Sequence, residues 1–206
     1  MDDSDLALLS QIRRGDTGAL GIILERHWPA VVRYALAILD SRDAAEDVGQ
    51  ETFVRLWERR EAWRLEGSVR ALLLRVTRNL SLDEVRRRSA RQRAALSAAP
   101  TPLRLLPDEE LESREMRSIM TRAVDSLPQR RREVFILVHH YGLSYRETAT
   151  VLDLAPQTVA NHLTLALADL RKQLVPYLYD RTRPSESRAN VTEDRAARER
   201  AADQPT

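Results

Sequence analysis

The chain has 206 residues, of which 43% are hydrophobic and 31% charged, with a formal net charge of +2. That length holds one domain or two small ones, and so even a charge balance points to no partner, leaving only its distribution to inform. Without cysteine there are no disulfides, thiolate metal sites or thiol catalysis.

The start, Met1-Asp2-Asp3-Ser4-Asp5, is acidic, unlike a secretory or organelle signal. No apolar run approaches the length of a membrane span, and the chain reads as cytoplasmic with no membrane insertion. Its basic residues are nearly all Arg, Lys172 being the exception. Arg suits forked phosphate contacts, although a GC-rich genome explains the same bias.

Helical periodicity dominates and no convincing period-two strand appears, so an all-α fold is expected. A helix near Leu6–Arg13 breaks at Gly15, and a longer one from about Thr17 to Leu39 must accommodate Pro29 by a kink or break. Asp40-Ser41 can cap the next helix. There Ala45, Val48, Thr52, Phe53, Leu56 and Trp57 form an apolar stripe, while Asp43, Asp47, Gln50, Glu51 and Glu58 line the other side around Val54. Asp43, Asp47 and Glu51 repeat at i, i+4 and repel. An acidic ridge with an exposed Val fits a docking surface for a basic partner, and equally a solvated face. Gly49 weakens this helix without evident reason.

After a loop around Arg64–Ser68, a helix from about Val69 to Arg88 aligns Arg75, Arg78, Asn79, Leu82 and Arg86 on one side, with Asp83 at the edge. Leu73, Val76, Thr77, Leu80 and Val85 fill the other side. Arg holds phosphates and a neighbouring Asn can cradle an unstacked base, yet a solvated face with Asp83 bonded to Arg86 or Arg87 fits as well.

Residues 94–108, rich in Ala, Ser and Pro, read as a flexible linker. The following block, about Glu109 to Tyr179, shows four helical patterns. Leu127-Pro128 opens one that runs to Gly142. Ser144-Tyr145-Arg146-Glu147 is a capping box starting a short helix through Leu152. Asp153-Leu154-Ala155 makes a turn, and Pro156 begins a helix to about Leu174. This is a helix-turn-helix pattern.

On its second helix Val159, Leu163, Ala166, Leu167, Leu170 and Leu174 are expected inward. Gln157, Thr158, Asn161, Leu165 and Lys172 point outward, with His162 at the flank. Gln and Asn can bond an adenine edge bidentately, and residues at the start of such a helix reach bases first. Asp169 opposes Arg171 and Lys172, so the phosphate attraction of the helix is modest. Residues 180–206 carry mixed charge and almost no large apolar side chains, and read as a disordered tail. No phosphate-cradling Gly loop, metal cluster or nucleophile–base pair argues for catalysis or a cofactor. His139 and His140 are adjacent on a helix and diverge, which makes them poor joint metal ligands.

Glu46-Asp47-Val48-Gly49-Gln50-Glu51-Thr52-Phe53-Val54-Arg55-Leu56-Trp57, then Arg75-Val76-Thr77-Arg78-Asn79-Leu80-Ser81-Leu82-Asp83, then Leu127–Leu174 resemble, in this order, an extracytoplasmic-function (ECF) sigma factor of bacterial RNA polymerase. The likeness covers roughly Leu6 to Leu178, excluding the linker. It implies a sigma-2-like helical bundle over 6–93 and a sigma-4-like helix-turn-helix domain over 109–179. Asp47, Gln50, Glu51 and Val54 would dock on the clamp helices of the largest polymerase subunit. Arg75, Arg78, Asn79, Asp83 and Arg86 would engage the −10 element, and Leu65-Glu66-Gly67-Ser68 would help to form a pocket for a flipped base.

Gln157, Thr158, Asn161, His162 and Lys172 would read the −35 element, the same domain touching the polymerase flap. Promoter DNA and core polymerase are thus the implied partners, with an anti-sigma factor a further candidate. Leu72 stands where Trp is common, Ala155 where Ser often caps the recognition helix, and Ala160, Leu165 and Ala168 where basic residues are frequent. The rival readings are a stand-alone helix-turn-helix regulator with an N-terminal interaction domain, and an all-helical adaptor that binds proteins only.

Overall fold

A computed structural model of the protein describes residues 3–63, 67–93 and 114–182. Every regular element among them is helical, as the periodicity predicts. The expected linker and the tail beyond Thr182 lie outside the described residues.

Helix α1 spans Asp3–Arg13 and stops at Gly15, whose φ of +88° suits glycine. Asp16 then caps α2 (Thr17–Leu39), its Oδ1 accepting from the amides of Gly18 at 2.8 Å and Ala19 at 3.1 Å. Helix α2 runs through Pro29 without a break. Pro29 withholds only the N–H that would reach the Glu25 carbonyl, on an exposed turn, while His27, Val31 and Tyr34 bury both halves. Asp40 ends it in the left-handed region (φ 51°), and Ser41 caps α3 (Arg42–Glu58).

The predicted stripe of α3 is inside: Ala45, Val48, Thr52, Phe53 and Leu56 are buried and Trp57 half-buried. Gly49, on the same side, now has a reason. A Cβ there would lie 3.0 Å from Val32 Cγ2 and 3.2 Å from Trp28 Cζ3, so the missing side chain lets the Trp28 ring of α2 lie against α3. That ring also packs on Phe53, the centroids 6.2 Å apart.

Ser68 starts α4 (Val69–Arg93), its Oγ accepting from the Ala71 amide at 3.2 Å. The helix continues more than a turn past the expected end at Arg88. Buried Thr52 and Thr77 each donate to a carbonyl of their own helix, Val48 and Leu73, both at 2.8 Å, and their hydroxyls face each other at 3.2 Å across the α3–α4 contact. Helices α1 to α4 enclose two apolar clusters, one around Ile12, Ile23, Phe53 and Leu73, the other around Ala35, Ala45, Val48 and Leu80.

The second block holds the four helical stretches expected: α5 (Arg114–Asp125), α6 (Gln129–Phe135) continued by a π-helical turn (Ile136–His140), α7 (Tyr145–Leu152) and α8 (Pro156–Thr182). Arg132 is buried, and its Nη2 donates to the carbonyls of Asp125 and Leu127, which satisfies the open end of α5. The wide π turn pairs the Tyr141 amide with the Ile136 carbonyl at 3.1 Å, and Gly142 stops it at φ +67°. Helix α8 extends well past Leu174 and takes Asp180–Thr182 into the helix. Leu167, expected inward, is 45% exposed. Val159, Leu163, Ala166 and Leu170 make a narrow seam, and Leu167 sits one residue, about 100°, beyond it.

The two blocks pack on one another. A third cluster joins Tyr34, Ile38 and Leu74 of the first to Val134, Leu137 and Tyr141 of the second. The Tyr34 and Tyr141 rings meet edge to face at 5.4 Å. No helix of the described residues is long and apolar enough to cross a membrane, and no group of His, Cys, Asp or Glu among them could hold a metal ion.

Candidate polymerase and nucleic-acid interface

The acidic ridge of α3 is a solvent-facing edge set by a well-anchored opposite face. Asp43, Asp47, Gln50, Glu51 and Glu58 are exposed, and Val54 is 47% exposed among them. Glu51 is partly neutralised, accepting from Arg55 Nε at 2.8 Å. Asp47, Glu51 and Arg55 also line a groove of about 480 Å³ with Glu84, Arg87 and Arg88 of α4. Glu84 holds both of those arginines, Arg88 Nε at 2.9 Å and Arg87 Nη1 at 3.4 Å. Ridge and arginine-rich helix are therefore adjacent surfaces of one rigid unit.

On α4, Arg75, Asn79, Asp83 and Arg86 are exposed as expected, with Asp83 and Arg86 paired at 3.0 Å. Arg78 is not available in the same way. Its side chain is 11% exposed and its Nη2 lies 3.5 Å from Glu133 Oε2 of α6, which also accepts from Arg130 at 2.9 Å. Arg75 borders a cleft of about 810 Å³ between the blocks, shared with Gly67, Glu147, Thr150 and Pro156.

On α8, Gln157, Asn161 and Lys172 are exposed, while Thr158 and His162 are half-buried. Gln157 Nε2 donates to Asn161 Oδ1 at 3.2 Å, which holds the two amides side by side at the start of α8. His162 Nδ1 is enclosed without a hydrogen-bond partner. Lys172 stands apart, since fifteen residues at about 1.5 Å rise put it roughly 22 Å along the axis from Gln157. Asp169 is held by Arg131 of α6 at 2.5 Å, so its charge is directed away from Arg171 and Lys172.

Several residues that matter here carried no sequence signal as contacts between blocks. Glu147 completes the expected capping box, its Oε2 accepting from the Ser144 amide at 2.9 Å, while its Oε1 accepts from the Ser68 amide of the first block at 2.8 Å. Burial alone would raise this carboxyl, but the hydrogen bonds from Ser68 and Ser144 outweigh it and hold it below the usual carboxylate range. Arg70 Nη1 donates to the Tyr141 carbonyl at 3.1 Å, and Arg33 Nη1 lies 3.3 Å from His140 Nε2. Burial pushes the Tyr34 and Tyr141 hydroxyls far above their ordinary range, so both stay protonated. The one hint in the sequence was Glu133, a charge opening the apolar run Val134–Val138.

A helical unit with an acidic ridge beside an Arg/Asn face, followed by a capped helix-turn-helix, defines a two-part DNA-binding factor. Residues 23–91 match the family sigma-70 region 2, and residues 117–170 match sigma-70 region 4. The ECF RNA polymerase sigma factor SigL of Mycobacterium tuberculosis is 31% identical over 173 residues, covering 82% of this chain and 96% of SigL. The chain belongs to the ECF sigma factors of the sigma-70 family, the class that directs transcription initiation by RNA polymerase.

A probable RNA polymerase sigma factor, RfaY of Xanthomonas campestris, is 29% identical over 76% of this chain, which spans 40% of that longer relative. The sigma factor RpoE, solved with the anti-sigma factor NepR from Bartonella quintana, has the same fold, with a TM-score of 0.60 and 22% identity, over 75% of this chain and 95% of that one.

Proposed function

We propose that this chain binds core RNA polymerase and directs it to promoters with spaced −10 and −35 elements, without catalysis of its own and without a cofactor. Residues 6–93 form the polymerase and −10 unit, and 109–179 the −35 unit. Asp47, Gln50, Glu51 and Val54 grip the clamp helices of the largest subunit. Arg75, Asn79, Asp83 and Arg86 engage the −10 strand, joined by Arg78 only when it leaves Glu133, with Gly67 and Ser68 beside the pocket for an extruded base; Leu65 and Glu66 lie outside the described residues. Gln157, Thr158, Asn161 and His162 read the −35 element, and Lys172 holds a phosphate further along. Unstacking a base costs a few kcal/mol, so a pocket that binds it favours melting without ATP. An anti-sigma factor is a fitting restraint, since the RpoE relative was solved with one.

The observation that carries this reading is the exposed ridge of α3 sharing a groove with the arginine end of α4. A stand-alone helix-turn-helix regulator has no use for that ridge. Run-off transcription with core polymerase on a promoter library tests it. Cognate transcripts that depend on this chain are expected. Duplex binding by the chain alone, with no initiation on any promoter, overturns the proposal.

A further inference from the structure

We propose that Leu165 gives this chain a thymine requirement in the −35 element, by seating its side chain against the 5-methyl group of one thymine in the major groove. This rests on the sigma-factor reading above and names, for the same interface, a base which that reading leaves open.

Leu165 is 46% exposed on α8, although Val159, Leu163, Ala166 and Leu170 of the same helix are buried. A single exposed leucine is ordinary on a protein surface. Its neighbours on the helix set this one apart. Gln157, Asn161 and Leu165 follow one another at i, i+4 and i+8, and at about 100° per residue they fall within about 80° of one face. Gln157 Nε2 donates to Asn161 Oδ1 at 3.2 Å, which buttresses the second amide with the first. One lone pair of Asn161 Oδ1 and both Nδ2 hydrogens remain for a base, the set that a bidentate contact with adenine uses.

Beyond Asn161 the same face turns apolar. Thr164 and Ala168 are exposed next to Leu165. The Thr164 hydroxyl donates to the Ala160 carbonyl at 3.0 Å, so its proton is not available to a base. Thr164, Leu165 and Ala168 thus form a surface without a free donor, directly after two side chains suited to reading adenine. Thymine is the base that carries a methyl group in the major groove. A purine in its place would set a polar edge against leucine and lose water without gaining a partner. Leu165 lies about 6 Å along the axis from Asn161, close to the rise of two base pairs. The thymine is therefore expected about two pairs from the adenine that Asn161 bonds.

The test uses core polymerase loaded with the full chain, on a cognate duplex from the promoter library. Each thymine of the −35 element is replaced in turn by deoxyuridine, which removes one methyl group and leaves every hydrogen-bonding group in place. At one position the parent should bind about fourfold more weakly, the equivalent of about 0.8 kcal/mol for one buried carbon. At that same position 5-methylcytosine, paired with guanine, should bind better than cytosine by a similar factor. Leu165→Ala should bind the thymine duplex at least fourfold more weakly than the parent does, and should not distinguish thymine from deoxyuridine. Leu167→Ala is the control. Leu167 is equally open, at 45% exposed, but sits about 160° away around the helix, so its loss should leave the methyl dependence as in the parent.

A parent holoenzyme with no methyl-sensitive thymine in the −35 element refutes the contact, as does a Leu165→Ala holoenzyme that keeps the parent's sensitivity. Run-off transcription by the parent chain would still uphold the sigma reading in either case. If instead the parent initiates on no promoter, while Leu165→Ala abolishes the methyl dependence of duplexes that the chain binds alone, the sigma reading falls and the thymine contact stands.

Discussion

Gly49 offers a sharp test of how the acidic helix is held. Replacing glycine by alanine inside a helix gains about 0.8–1.0 kcal/mol of propensity. Against that gain stand contacts at 3.0 Å with Val32 Cγ2 and 3.2 Å with Trp28 Cζ3. Both of those side chains are half-buried and can yield by a few tenths of an ångström. Gly49→Ala should therefore stay within about 1 kcal/mol of the parent, the gain and the crowding nearly cancelling. Gly49→Leu has no such escape, because three further carbons occupy the volume of the Trp28 ring and separate it from Phe53. Overpacking of about 1–3 kcal/mol, together with lost burial of about 1.5–3 kcal/mol and less a propensity gain of about 0.8 kcal/mol, puts the expected destabilisation near 2–5 kcal/mol. Urea unfolding followed by tryptophan fluorescence reads this as a lower midpoint at unchanged slope. A Leu variant as stable as the Ala variant would show that Trp28 does not lie over Gly49. Polymerase affinity should survive Gly49→Ala, because Asp47, Gln50 and Glu51 face away from that contact.

Glu51→Arg should weaken binding to core polymerase at least tenfold while costing the fold only a few tenths of a kcal/mol, the price of an i, i+4 like-charge pair with Arg55; unchanged affinity in a titration with core enzyme would remove Glu51 from the docking surface. Asn161→Ala should relax discrimination at a single −35 position by about 1–3 kcal/mol, whereas Lys172→Gln should weaken all promoters alike and lower the salt slope by about one. Competition over single-base promoter variants separates the two effects. Burial lowers the His27 imidazole below its usual 6.5, against the raising effect of the hydrogen bond its Nε2 makes to the Asp5 carboxylate. The unfolded chain then takes up that proton first, so stability present above pH 6.5 declines as pH falls through the folded value. His27→Gln should flatten that part of the profile, and an identical slope in the two proteins would contradict it.

The elements that could be read from sequence were those governed by neighbours along the chain. The α3 stripe is one, set by helical period against a single core. The capping box at Ser144 and Glu147 and the left-handed stop at Gly142 are others, both decided within a few residues. What stayed hidden depends on partners far away in sequence. Gly49 answers to Trp28 on another helix, Leu167 falls outside a seam narrower than the usual apolar stripe, and the fates of Arg78 and Glu147 are decided by the other block. Periodicity says which way a side chain leaves its helix. It does not say what waits there.

The charge of α8 shows why this matters. In sequence, Asp169 cancels part of Arg171 and Lys172, and the helix looks a poor phosphate binder. In the fold, Arg131 holds Asp169, and both basic residues remain exposed, so local repulsion of DNA by Asp169 is already satisfied within the domain. The charge that α8 presents is therefore set by Arg171 and Lys172 rather than by their sum with Asp169.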